Sequence, residues 1–483
     1  MLFNSFAFAI FLPVVFILYW FVFQKNLRWQ NILLLVASYY FYAYWDWRFL
    51  FLLAFSTYLD YFTGLKMAQQ DTQAKKKIWF WTSVIINLGF LAVFKYYNFF
   101  VESFADGLAL LGLKTDFWTL KVILPVGISF YTFHGLSYVI DIYKNRIEPE
   151  KDFVNYAVFV SFFPLLVAGP IERATHLLPQ IIKRRSFDYN QSIDGLFLIF
   201  WGLFKKVVVA DNCAPVVNEI FQSGSASGSV LVLGAVLFAF QIYGDFSGYS
   251  DIAIGTAKLF GIDLLTNFRF PYFSRNISEF WRRWHISLST WFRDYLFIPL
   301  GGSKVSKWLS IRNVFIIFLV SGFWHGANWT FIVWGGLHAC FFLPSFIFNS
   351  NKKYQAGIIN PTGFKQGILE LGLVFKTFVF ATFAWIFFRA ETVTQALSYI
   401  KRMFSKTLLS IPKLSGEKNT DALLSLAFIV LMIAVEWRHR KKQFVFENIY
   451  KSNGMLQLSI LLSIVALLFF FTGKSSSFIY FQF

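Results

Sequence analysis

Cysteine is nearly absent from this chain. Only Cys213 and Cys340 occur, 127 positions apart, so neither a CxxC redox pair nor a cysteine-based zinc cluster is available. Both lie in or beside apolar runs, where a thiol serves as a packing residue. Charge is scarce as well: Asp, Glu, Lys and Arg make up 14% of the 483 residues. Acidic groups are the rarer sign, 26 against 44 Lys and Arg, for a net charge of +18. An excess of that size raises nucleic acid as a partner. The basic residues fall instead in short clusters between apolar runs, and no basic motif with interleaved aromatics stands outside a membrane segment, so the sequence reads as having no nucleic-acid partner. Internal repeats, heptads and long low-complexity tracts are missing too, which favours one membrane domain over 1–483. The first segment, Leu2–Phe23, lacks a basic n-region and a small-residue cleavage site, and is expected to be a retained helix rather than a signal peptide.

What is present is apolar surface. Hydrophobic residues reach 57%, aromatics 22% with 65 Phe, 22 Tyr and 17 Trp, and the mean hydropathy is +0.55. A water-soluble fold of this size cannot hide that much, so a lipid bilayer is the expected solvent, with amphipathic rings at its headgroup level. Runs long enough to cross or deeply enter a membrane are Leu2–Phe23, Gln30–Tyr44, Phe49–Leu65, Ile78–Phe100, Lys121–Ile142, Val154–Val167 and Ile193–Ala210. Val230–Tyr243, Val314–Trp324, Trp329–Phe348, Ile368–Phe388, Leu423–Val435 and Met455–Phe471 follow. The expectation is an all-α, polytopic integral membrane protein with about 11 to 13 membrane segments, some re-entrant. Lys25 and Arg28 follow the first run and Lys66 and Lys75–Lys77 the third, while Trp45–Arg48 is poor in cations. The positive-inside rule therefore places the N-terminus outside, and Arg438, Arg440, Lys441 and Lys442 send the Ser475–Phe483 tail outside as well. The stretches 349–365 and 405–420 are the most water-compatible late in the chain and read as surface loops.

Polar groups inside such runs need a partner or a function, because hydrocarbon penalises them by about several kcal/mol. Four stretches qualify. In Pro125–Asp141, Ser129, Thr132, His134 and Asp141 interrupt an apolar helix, with His134 and Asp141 on one face; they either bond neighbouring helices or line a substrate path. In Phe163–Arg173, two prolines and a glycine break the span before Glu172 and Arg173, and Arg173 either pairs with Glu172 or Asp141 or binds an anion. Gln241–Asp251 sets Asp245, Asp251, two serines and two tyrosines within eleven residues at membrane depth, a density expected to be functional or supporting. With no zinc-like spacing nearby, no metal site is expected.

The fourth stretch has two parts, Glu279–Tyr295 and Ser321–Trp329. The first is basic and amphipathic, with Arg282, Arg283 and Arg293 beside Trp281, Trp284 and Trp291, as in a helix lying on the membrane surface. Its arginines either meet headgroups or bind the phosphates of a donor. In the second, His325 follows an apolar run and is flanked by Trp324 and Gly326, a desolvated setting that favours the neutral imidazole a general base needs. If that helix continued, His338 would lie about 20 Å along the axis and roughly 220° around from His325, so those two should not meet. His285 sits on a separate segment and is free to converge on His325.

These motifs resemble the membrane-bound O-acyltransferase family, in its alginate O-acetyltransferase branch. Phe280–Ser289 (FWRRWHISLS), Phe323–Gly326 (FWHG) and Gly244–Asp251 (GDFSGYSD) carry the resemblance, supported by Pro125–Phe130, Ala168–Arg173, Trp385–Arg389 and the Phe478–Phe483 tail. It runs nearly end to end. The resemblance implies a helical ring around a thinned centre, with a central tunnel meeting at the histidines. It also implies His325 and His285 as catalytic residues, Asp245 and Asp251 in a supporting motif, acetyl transfer from acetyl-CoA, and location in a bacterial inner membrane. An extracytoplasmic partner of the SGNH-hydrolase-like type would complete the transfer to a polysaccharide acceptor. On this reading His325 is the general base and His285 polarises the acyl carbonyl, with an acetyl-histidine relay as the mechanistic rival. Arg173 and Trp324 are expected to support the site, and Arg282 and Arg283 to bind the donor. Two alternatives stay open: D-alanyl or other acyl transfer from a carrier protein to a cell-wall polymer, and a proton-coupled transporter or flippase, which would show inverted repeats.

Overall fold

Several of the apolar runs are preceded by a small polar residue that takes up the first bare amides of a helix. Ser5 accepts from Phe8 N, Asn26 from Arg28 N and Trp29 N, Thr72 from Lys75 N, and Asn328 from Thr330 N, so the helix starts carry few unsatisfied donors into an apolar medium. The computed structural model describes every residue except 114–118, 121–123, 168, 349, 351–353, 355–362, 415, 417, 474–475, 477 and 480–483. Among the described residues all regular structure is helical.

By internal contacts the chain divides into two compact units, Met1–Tyr189 with Ala257–Leu265, and Asn190–Thr256 with Thr266–Phe483. The first contains α1 (Phe6–Ile17), α2 (Leu27–Asp46), α3 (Leu50–Ala68), α4 (Gln73–Leu91), α5 (Tyr97–Leu110), α6 (Ile128–Tyr143), α7 (Phe153–Ser161) and α8 (Ala174–Ile182). α3 packs on α4 and α6, and α2 on α7. Buried polar groups join these helices: Asp60 of α3 accepts from Ser83 Oγ and Asn87 Nδ2 of α4, at 2.5 and 2.7 Å.

The second unit starts within α9 (Tyr189–Leu203), which runs into a π-helical turn, Phe204–Ala210. It continues with α10 (Asp211–Gln222), α11 (Gly228–Leu259), the short α12 (Ile277–Trp281) and α13 (Ile286–Phe292), then α14 (Lys307–His325) and α15 (Trp329–Ile347). α16 (Phe364–Arg389), α17 (Val393–Met403), α18 (Lys418–His439) and α19 (Gly454–Phe470) complete it.

Among the described residues six helical stretches are long and apolar enough to cross a membrane: Gln73–Leu110, Gly228–Leu259, Lys307–His325, Trp329–Ile347, Phe364–Arg389 and Lys418–His439, with Phe6–Val22 and Gly454–Phe470 as shorter apolar helices. The chain is thus an all-helical, multi-pass membrane protein. The expected run Val230–Tyr243 is only part of the 32-residue α11, which carries the Gln241–Asp251 motif within it. The run Val154–Val167 stops being helical after Ser161, ahead of Pro164. The run Lys121–Ile142 is helical from Ile128, its first residues lying outside the described ones, as do most of the stretch 349–365 and most of the Ser475–Phe483 tail.

Candidate active site

α14 ends at His325 because Gly326 takes an extended backbone and Asn328 then caps α15. The two helices close into a tight hairpin. A Cβ at Gly322 would stand 2.2 Å from Phe331 O, and one at Gly335 2.3 Å from Phe318 O, so only glycine permits the approach. That closeness seats His325, 2% exposed, against Trp334 of α15 with ring centroids 5.0 Å apart. Phe388 of α16 and the adjacent Trp324 complete the cage, at 5.4 and 4.9 Å.

His285 arrives from a different direction. The expected surface helix over Glu279–Tyr295 does not form as one piece: it breaks into α12 and α13, and Trp284 and His285 between them are fully buried. The cause is non-local hydrogen bonding. Arg269 N donates to Arg283 O and Ile286 N to Asn267 O, each at 2.9 Å, drawing the backbone out of the helical ladder. His285 takes the left-handed conformation, φ 43°, that the bend requires. Its ring then lies 6.2 Å from that of His325, centroid to centroid, and 5.8 Å from that of Trp324.

Neither ring nitrogen of His285 has a hydrogen-bond partner among the described residues, although both are buried. Leaving such atoms unmet costs about 1–3 kcal/mol each. Native proteins retain that cost mainly where function needs the group. A cavity of about 250 Å³ has Trp281, Ser289, Phe318, Ser321 and Phe342 in its lining, which includes neither His285 nor His325. Ser321 is one turn before His325, and Ser289 one turn after His285.

His338 is not on a continuation of the His325 helix, since the chain turns at Gly326. It lies across the hairpin and accepts from Trp281 Nε1 at 3.3 Å. The Trp334 ring contacts both it and His325, at 4.8 and 5.0 Å.

Arg282 and Arg283 follow α12. Arg282 donates to Ser278 Oγ at 2.8 Å, and Arg283 bridges to Glu279 at 2.8 Å, a carboxylate also held by Arg275 at 3.0 Å. Asp245 and Asp251 are ion-paired rather than open: Lys206 Nζ sits 2.7 Å from Asp245 Oδ1 and Lys205 Nζ 2.7 Å from Asp251 Oδ2. Lys205 and Lys206, 3% and 0% exposed, lie inside the apolar run Ile193–Ala210. Two adjacent cations in the middle of a span are themselves the signal that would have found them. Arg173 lies in the other unit, as N-cap residue of α8. There Glu172 takes a bond from His176 Nδ1 at 2.8 Å and Asp141 one from Arg146 at 3.0 Å. His134, also in that unit, is bonded at both nitrogens, to Val160 O at 3.4 Å and from Glu172 N at 3.1 Å.

A buried histidine pair in an aromatic cage thus lies within a polytopic helical protein. Residues 144–351 match the membrane-bound O-acyltransferase family. The chain is 36% identical to a peptidoglycan O-acetyltransferase of Helicobacter pylori, over all of its own length and 98% of that protein. It is 37% identical to a probable alginate O-acetylase of Pseudomonas aeruginosa, over 89% of this chain and 81% of the relative. Similarity extends, at 29% identity over 48% of the chain and 61% of the relative, to a teichoic acid D-alanyltransferase of Bacillus subtilis. The chain belongs to the membrane-bound O-acyltransferase family and is an acyltransferase, as its motifs led us to expect.

Proposed function

We propose that the protein takes acetyl groups from acetyl-CoA on the cytosolic side of a bacterial inner membrane and delivers them for O-acetylation of an extracytoplasmic polysaccharide. His325 removes the proton from the attacking hydroxyl as its oxygen bonds to the acetyl carbonyl carbon, and the carbon–sulfur bond then breaks, the thiolate taking the proton back from His325. His285 polarises the carbonyl and stabilises the developing oxyanion. The observation that carries this reading is the convergence of His285 and His325 from separate elements, 6.2 Å apart and buried, with the ring nitrogens of His285 unmet by the described residues.

Water exclusion around the pair strengthens any dipole aimed at the carbonyl. A tunnel from each face would bring donor and acceptor to it, with the N-terminus outside. Arg282 and Arg283 are the candidates for the donor's phosphates, and Asp245, Asp251 and Trp324 support the site. The acceptor is a cell-envelope glycan, reached through an SGNH-hydrolase-like partner outside the membrane; peptidoglycan and alginate, named for the relatives, are the two to test first. The partial similarity to a teichoic acid D-alanyltransferase favours one second reading, transfer of D-alanine from a carrier protein, and the donor distinguishes them.

The test uses everted membrane vesicles supplied with radiolabelled acetyl-CoA, scoring base-labile ester. His325→Ala and His285→Asn, the latter keeping a side chain that accepts the same backbone, should each lower turnover by about 10²–10⁴-fold. Near-wild-type turnover in both overturns the reading. Label from a charged D-alanyl carrier but not from acetyl-CoA replaces it with the second.

A further inference from the structure

Among the described residues the His285 ring has no hydrogen-bonded neighbour to fix its plane, whereas a working imidazole is ordinarily oriented by a bond at its second nitrogen. Ring packing must do it instead. Phe246 of α11 stands edge-on to His285, with centroids 4.7 Å apart and planes at 87°. On its other side Phe246 meets Phe478 at 6.0 Å, and Phe478, fully buried, packs on Tyr249 at 4.4 Å.

Phe478 lies far along the chain in a short segment held by charge. Ile479 N donates to Asp245 Oδ2 at 2.7 Å. Ser476 Oγ donates to Asp211 Oδ1, and Ser476 O accepts from Lys206 Nζ at 3.1 Å. Lys206 is the hub, 2.7 Å from both Asp211 and Asp245. Its position follows from the close contact of α9 with α11, where a Cβ at Gly248 would stand 2.7 Å from Gly202 O. The π-helical turn Phe204–Ala210 then re-aims consecutive side chains inward, sending Lys205 to Asp251 and Lys206 to Asp245.

We infer that the Lys206–Asp211–Asp245 cluster positions His285: it anchors Ser476 and Ile479 so that Phe478, pressing through Phe246, sets the plane of the imidazole. Buried ion pairs add little to stability over apolar packing, yet they admit few alternative geometries. That is the property an orienting device needs. None of these groups touches the reacting atoms, so they are positioning residues. This inference rests on the proposed role of His285.

The experiment measures Phe478→Ala in full-length protein, alone and in the His285→Asn background. Initial rates come from everted vesicles with radiolabelled acetyl-CoA, and ester content of surface glycans in cells gives a donor-independent second readout. Phe478→Ala alone should lower kcat at least 10-fold with KM for acetyl-CoA within twofold and the amount of protein in the membrane unchanged. In the His285→Asn background it should cost less than a further twofold, because the ring it orients is gone. Phe246→Leu supplies the same pair of measurements should Phe478→Ala fail to accumulate. Asp245→Asn, which still accepts from Ile479 N, should retain more kcat than Asp245→Leu. An unchanged kcat, or an equal loss in both backgrounds, overturns the positioning role. Near-wild-type activity of His285→Asn itself overturns the reading of His285 and is a separate observation.

Discussion

His134 and His176 of the first unit and His285 of the second are held in opposite ways. In the first unit His134 is tied at both nitrogens, donating to Val160 O and accepting from Glu172 N, and His176 is bonded to the Glu172 carboxylate. In the second, His285 has both nitrogens buried without a partner among the described residues and is surrounded by rings. A saturated imidazole is a structural brace, because every lone pair and proton is already committed. An unsaturated one in a dry cage is available to a substrate, and its upkeep is a local instability that the surrounding aromatic packing must offset.

The widest break in that comparison is made at His325. His325→Ala should abolish measurable ester formation, a loss of about 10²–10⁴-fold, while the protein still accumulates in membranes and melts within a few degrees of wild type. His134→Leu should do the reverse. It leaves Val160 O and Glu172 N without their partner, costing about 1–3 kcal/mol of stability, read as a lower melting temperature in detergent with turnover per folded molecule unchanged. A large loss of turnover in the folded His134→Leu protein would erase the distinction between the units. Gly322→Leu tests the hairpin that seats His325: overpacking a contact this close should cost about 1–3 kcal/mol and reduce turnover of whatever protein remains folded.

The smallest effect belongs to His176. Its pKa is raised above the ordinary histidine value, chiefly by the hydrogen bond to Glu172 and then opposed by partial burial. The stabilisation from that bond is therefore complete below the unfolded pKa of about 6.5 and is lost as pH rises through the higher folded value. Melting temperatures of wild type and His176→Asn should differ at pH 6 and converge toward pH 9, by a small amount because the ring is 38% exposed.

Much of this was legible in the sequence. Composition alone fixed the solvent and the helical class, and the short strings around 285 and 325 identified the histidines that do converge. The break between α12 and α13 was not legible. Residues 279–295 are amphipathic at helical period, and what overrules them is a pair of backbone bonds from Asn267 and Arg269, partners that no periodicity within the segment reveals. Lys205 and Lys206 were missed for the opposite reason. Their flanks are so apolar that the average over Ile193–Ala210 stays high, and the pairing that makes them tolerable comes from α10 and α11. The helical projection from His325 to His338 does not apply, since α14 ends at Gly326 and His338 lies across the hairpin.

One detail of the first unit bears on how the protein is made. The irregular stretch after α7, broken by Pro164 and Pro170, has backbone groups that no helix satisfies, and side chains do so instead: Phe163 N donates to Ser38 Oγ and Glu172 N to His134 Nε2. Both acceptors sit on α2 and α6, which precede the stretch in the chain. A nascent segment with bare amides is costly in lipid, but here its partners have already left the ribosome when it emerges. Biogenesis thus acquires a direction: Ser38 of α2 and His134 of α6 are synthesised before the Phe163 and Glu172 amides they satisfy. A chain permuted so that this stretch is synthesised first would have to insert it unsatisfied.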